Sequence, residues 1–133
     1  MKLTIDYLEE GEEPTIRIDT DSAEAIGALR RLFQKLASGN LNEAILEDIE
    51  DLQVEGSVSL RLQRSTAKKE KRKTVQSTGV GKSFAFVWTL TAEGWDDCVW
   101  WLQGMIQATE PCHQYLTQGP DDDAVIVIGF REI

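Results

Sequence analysis

Leu3, Ile5 and Tyr7 are separated by Thr4 and Asp6, a period of two that predicts a half-buried strand. The polar stretch 9–14 reads as a turn. Ile16 and Ile18 then alternate with Thr15, Arg17 and Asp19, so the two runs predict a β-hairpin. The period changes next: Ile26, Leu29, Leu32, Phe33 and Leu36 recur at helical spacing. Asp21, with Glu24 three residues on, supplies acceptors for the first amides and suits the helix dipole. Gly39 stops the run because glycine takes the left-handed conformation at little cost. The first helix is therefore expected over 22–38.

Residues 41–56 carry a weaker pattern. Leu41, Ala44, Ile45 and Ile49 fit a short amphipathic helix set among Glu43, Glu47, Asp48, Glu50, Asp51 and Glu55. Val58, Leu60 and Leu62 alternate with Ser59, Arg61 and Gln63 in a third strand. Residues 65–82 hold few large apolar side chains, Val75 among them, and are expected to form a basic mobile loop. Phe84, Phe86, Trp88 and Leu90 make a fourth strand. Its other face carries Ala85 and Val87, which predicts a central place in a sheet. Thr91 is the expected cap of a second helix, with Glu93, Asp96 and Asp97 suited to its N-terminal end. Trp95, Cys98, Val99, Leu102, Met105 and Ile106 give the helix its apolar face, and Pro111 marks its end. Residues 124–130 form the last strand, apolar on both faces.

The order is ββα, a variable stretch, ββα, then β. It predicts an α+β fold of two layers: an antiparallel-rich sheet of about five strands with both helices on one face. A chain of 133 residues, 41% hydrophobic, is expected to be a single domain spanning 1–133 that needs no disulfide or metal to fold.

Charge sharpens this picture. The net charge is −9, yet residues 64–82 hold seven bases and one acid, locally +6, and the remaining 7 bases and 22 acids leave the rest at −15. A body so acidic repels nucleic acid and anionic membrane, so any nucleic-acid role rests on the basic segment. No apolar run approaches the roughly 20 residues that span a bilayer. The first residues lack the basic and apolar regions of a secretory signal. The cytoplasm is the expected compartment, with Cys98 and Cys112 as reduced thiols.

Gly79-Val80-Gly81-Lys82-Ser83 matches the tail of a phosphate-binding loop. That motif needs a glycine five residues before Gly81, where Gln76 stands, and a helix after it, where a strand is expected. Nucleotide binding is not expected. Lys68, Lys69, Lys71, Arg72 and Lys73 are candidate electrostatic contacts to phosphate or an acidic partner. The plainer readings are a solvated loop, or a loop folded onto the acids of 43–55. No aromatic residue lies between Arg64 and Ser83 to stack a base.

His113, the one histidine, and Tyr115 are candidate pocket residues. Cys112 and His113 are neighbours and point apart in an extended segment, so a nucleophile–base pair needs a different geometry. Two cysteines and one histidine do not complete a zinc site by themselves. Asp121-Asp122-Asp123 lacks the alternating ligands and glycine of a calcium loop, and Gly119-Pro120 before it favours a polar turn. No cofactor is called for.

The tryptophans are more informative. At 100° per residue Trp95 falls inside the apolar face of the second helix and Trp101 on its flank. Trp100 lies about 160° from Leu102, on the outer face. Asp96 and Gly104 are its neighbours at i−4 and i+4. An outward Trp beside a glycine is a candidate interface anchor; the alternative is a Trp covered by 109–119 or 41–54.

The segment Trp88-Thr89-Leu90-Thr91-Ala92-Glu93-Gly94-Trp95, followed by His113-Gln114-Tyr115-Leu116 and Asp122-Asp123-Ala124-Val125-Ile126-Val127, resembles small uncharacterised bacterial proteins, some similar to immunity proteins of polymorphic toxin systems. The resemblance covers about the last third of the chain. It implies a small acidic α+β protein that neutralises a toxin by binding it, and it assigns no catalytic residue.

Three functions follow as expectations. The first is a non-enzymatic interaction module binding a basic protein or itself, with a homodimer as the commonest assembly. The second is a nucleic-acid or phosphate-contacting accessory protein acting through the basic loop. The third is a small enzyme using His113.

Overall fold

A computed structural model describes residues 2–9, 13–50, 52–78, 84–116 and 119–131. In chain order the elements are β1 (Lys2–Leu8), β2 (Thr15–Thr20), α1 (Ala23–Ser38) and β3 (Glu43–Ile45). A 3-10 turn (Leu46–Asp48), β4 (Gln53–Gly56), β5 (Val58–Ser65), β6 (Val75–Ser77) and β7 (Phe84–Thr91) follow. The order closes with α2 (Ala92–Ile106), β8 (Cys112–Tyr115) and β9 (Val125–Phe130).

The fold is α+β, as the period changes predict, but the strands form two sheets rather than one of about five strands. The first runs β4-β1-β2-β9-β8 and the second β3-β5-β7-β6. Both are mixed: β2 runs parallel to β9, β1 to β4 and β5 to β7, while the β1–β2, β8–β9, β3–β5 and β6–β7 pairs are antiparallel. The extra strands are β3, β4, β6 and β8, each three or four residues long. Segments so short carry no readable alternation, which explains both the undercount and the expected helix in 41–56.

The first helix begins one residue later than expected. Ser22, not Asp21, is the cap, and its Oγ accepts the Ala25 amide at 3.2 Å. Gly39 ends the helix with φ +84°, as its position predicts. Among the described residues Gly56 is the one other glycine with a positive φ. Its φ is +128°, and an added Cβ would lie 1.9 Å from the Ile5 carbonyl oxygen, because β4 closes on β1 there.

One buried cluster joins both sheets and both helices. The helices pack against each other, and Arg30 Nη1 of α1 donates to Gln103 Oε1 of α2 at 2.6 Å. At its centre Phe33 meets Trp88 edge-on, with centroids 5.6 Å apart, and meets Trp95 at 5.3 Å. Trp95 Nε1 donates to the Gln63 carbonyl at 3.0 Å, which satisfies its polar end in the core. Both β7 and β9 are interior strands, as their two apolar faces predict. The outer face of β7 is nonetheless half-exposed at Ala85, Val87 and Thr89. Among the described residues no helix is long and apolar enough to cross a membrane.

Candidate functional site

The helix that carries the tryptophans is held at its start by a side-chain relay. Thr91 Oγ1 accepts the Gly94 amide at 3.1 Å and donates to Glu70 Oε2 at 2.7 Å, while Glu70 Oε1 accepts the Thr91 amide at 2.6 Å. A carboxylate at this end offsets the helix dipole and serves an otherwise unpaired amide. Glu70 is the single acid of the basic segment. Gly94 leaves room for it, since a Cβ there would meet the Glu70 carboxylate at 2.3 Å.

One face of the anchored helix is buried through Trp95, Cys98, Val99, Leu102 and Met105. Trp100 projects from the opposite side and is 70% exposed, the most exposed large hydrophobic residue described. The alternative, a Trp covered by its own chain, is excluded by that exposure. One turn on, Gly104 is exposed too, and an added Cβ would meet nothing within 4 Å. One turn back, Asp96 is exposed beside Glu93 and Asp97.

The helix ends at Ile106, five residues before Pro111, and the chain returns as β8. Cys112 and Gln114 turn partly inward, whereas His113 and Tyr115 face out and meet edge-to-face at 5.9 Å. The return of β8 places it beside the C-terminal half of α2. Trp100, Gly104, Ala108 and His113 then line one shallow groove of about 370 Å³. Two candidates read separately from the sequence, Trp100 with Gly104 and His113, thus share one groove, while Tyr115 touches His113 but does not line the groove. Asp96 stands one turn away from it. Cys112 was not singled out as a groove residue, because only the short strand β8 brings it in.

The thiols differ in setting. Cys98 lies in the core, where burial, then the nearby charges of Asp97 and Glu70, push its pKa well above the ordinary thiol range. Cys112 is half-buried and lies on the opposite side of β8 from His113. Among the described residues no three His, Cys, Asp or Glu side chains cluster to hold a metal ion.

The basic segment does not run free. Val75–Ser77 forms β6 on the edge of the second sheet, and Val75 is fully buried. Among the described residues the acids that receive the segment are Asp121, Asp122 and Asp123, not those of 43–55. Arg72 Nε bonds Asp121 Oδ2 at 2.8 Å, and Lys73 Nζ bonds Asp123 Oδ1 at 2.8 Å. Asp122 accepts from the Thr74 hydroxyl at 2.8 Å, the Val75 amide at 2.9 Å and the Gly119 amide at 3.1 Å, and also from the Thr74 amide. Asp123 accepts the Ser77 amide at 2.8 Å. The bond from Lys73, then that from the Ser77 amide, hold Asp123 below the usual carboxylate range, and Asp123 raises Lys73 in return. The three acids are a polar turn, as Gly119-Pro120 predicts, whose carboxylates bond the edge of β6. Of the five candidate contact residues, Arg72 and Lys73 are engaged here, while Lys68, Lys69 and Lys71 are exposed. The motif at 79–83 lies outside the described residues.

No family model, curated protein or solved structure matches the chain.

Proposed function

We propose that the chain is a non-enzymatic protein-interaction module, of the immunity-like kind that neutralises a partner by binding it, with the α2 surface around Trp100 as its contact face. The observation that carries this reading is the pairing of a 70% exposed Trp100 with an open Gly104 one turn away. Burying an indole contributes strongly to association, and tryptophan is enriched among the few residues that dominate interface energies. Glycine in mid-helix costs roughly 1 kcal/mol relative to alanine. Packing within the chain gives no reason for it at 104, so an approaching surface is the natural account. Glu93, Asp96 and Asp97 flank the anchor and suit a basic partner by charge complementarity.

A second copy of the chain is the second reading, and Gly104 favours it. In an antiparallel pair of α2 helices, Trp100 of each copy opposes Gly104 of the other, the reciprocity a two-fold interface requires. Sedimentation equilibrium over a range of concentrations, with intact protein and Trp100→Glu, separates the two readings. Self-association abolished by the substitution supports the homodimer. A monomer in both leaves the basic partner.

A further inference from the structure

The second sheet is buried on one face through Val58, Leu60, Leu62, Phe86, Trp88 and Leu90, yet among the described residues no helix covers the other. On that outer face Ser59 pairs with Ala85, Arg61 with Val87 and Gln63 with Thr89 across β5 and β7. Gln76 of β6 lies opposite Val87. Two hollows of about 460 and 390 Å³ lie side by side on this face and share Gln63, Thr78 and Val87 in their linings. Their floor is made by small side chains, Ala85, Val87 and Thr89. Lys71 and Lys73 stand at one end and Arg61 toward the other.

The lining of this trough differs in composition from the chain as a whole, with the carboxylates of Glu43, Glu47 and Asp123 bonded to its members from outside. The protein carries 23 acids against 14 bases, yet among the described residues the lining holds three cations and no carboxylate. Lys73 is engaged by Asp123 and Arg61 by Glu43, whereas Lys71 has no ion-pair partner among the described residues. The remaining polar groups are amides and hydroxyls, and the hydroxyls of Ser59, Thr74 and Thr78 already donate to Glu47, Asp122 and the Ala85 carbonyl, which leaves their lone pairs to accept. The Thr89 hydroxyl donates to Gln63 Oε1 at 3.3 Å, which commits the amide oxygen and keeps the amide nitrogen as a donor. Ammonium and amide donors at Lys71 and Gln63, beside hydroxyl lone pairs, suit a ligand that carries both an anion and hydroxyl groups. Phe86 is the only aromatic residue of the lining, and its ring is buried on the other face. The platform that stacks nucleic-acid bases is therefore missing, and the acidic body opposes a long polyanion. A small anion carries neither problem.

We propose that this trough binds a small hydroxylated phosphate ester of the sugar-phosphate class, with the phosphate at Lys71 and the hydroxylated body over Val87 toward Gln63 and Arg61. The site is separate from the α2 face and stands or falls independently of it.

The test is titration of the intact protein with glucose 6-phosphate, inorganic phosphate and glucose, followed by amide chemical shifts and calorimetry. The expected result is saturable binding of the ester, with shifts centred on β5, β6 and β7 and inorganic phosphate weaker. Lys71→Ala is expected to weaken binding about tenfold, the scale of a charge-assisted bond, and Gln63→Ala less. Lys68→Ala with Lys69→Ala serves as the control that keeps binding. Both test positions are safe for the fold, since Lys71 is exposed and Gln63 holds Trp95 through its backbone carbonyl. Absence of saturation, inorganic phosphate bound as tightly as the ester, or equal loss in the Lys68 and Lys69 control would each overturn the proposal. Tighter binding of a short single-stranded oligonucleotide through Lys71 would overturn it too, in favour of nucleic acid.

Discussion

Asp122 accepts the Val75 amide at 2.9 Å, so the turn that leads into β9 pins the edge strand of the second sheet. The same carboxylate serves Thr74 and Gly119, and Thr74 is itself buried. Asp122→Ala leaves the buried Thr74 hydroxyl and the amides of Thr74, Val75 and Gly119 without this partner. The expected cost is about 2–4 kcal/mol in denaturant-induced unfolding. Arg72→Ala removes only an exposed ion pair and leaves the midpoint nearly unchanged.

The neighbouring pair makes the turn sensitive to pH at both ends. Asp123 is lowered in the folded protein, so near pH 4 the unfolded chain binds more protons than the folded one. Its contribution is present above the ordinary aspartate pKa, about 3.9, and is lost as the pH falls through the lower folded value. Lys73 is raised, so its contribution is present below the ordinary lysine pKa, about 10.4, and is lost as the pH rises through the higher folded value. The Ser77 amide, which donates to Asp123, reports the acid limb. Its chemical shift should titrate with a midpoint below that of a free aspartate, and Asp123→Asn should abolish the transition.

The relay at the start of α2 should behave as one unit. Thr91→Ala removes the cap and should cost about 1 kcal/mol. Glu70→Ala strips the outer acceptor and should cost less. Thr91 links Glu70 to the Gly94 amide, so the double variant should lose less than the sum of the two. Strict additivity in chemical unfolding would show that the relay is not coupled.

Gly56 closes β4 onto β1 with φ +128°. Gly56→Ala should destabilise the protein by at least about 3 kcal/mol, from the strained φ together with the contact on the Ile5 carbonyl. Gly104→Ala, where an added Cβ meets nothing, should be neutral or slightly stabilising in the isolated chain.

Elements with long periodic patterns were legible in the sequence. The β1–β2 hairpin, α1, β5, β7, α2 and β9 follow from alternation or helical spacing, and so does the outward direction of Trp100. Strands β3, β4, β6 and β8 were not, because three or four residues in a strand take their conformation from the neighbour they pair with. The alternation of the long strands does not say which of them pair, so the split of β1, β2 and β9 from β5 and β7 left no local trace; β8 extends the first sheet beyond β9, and β6 extends the second beyond β7. Composition marked 65–82 as basic and poor in apolar residues, but it could not show that three acids some 50 positions later would bind it. Pairing over that distance leaves no local trace. The joining of Trp100 and His113 in one groove was hidden for the same reason, since it depends on where β8 returns against α2.

The claim that the Trp100 face binds protein is tested most directly by capture from lysate of the source organism supplemented with a tagged second copy of the chain. Intact protein, Trp100→Glu and Lys71→Ala would be immobilised side by side. Trp100 is on the surface, so its substitution should leave the melting temperature unchanged. The account predicts a stoichiometric protein partner, basic or the tagged copy itself, held by intact protein and Lys71→Ala and lost by Trp100→Glu. A partner held equally by Trp100→Glu would contradict it.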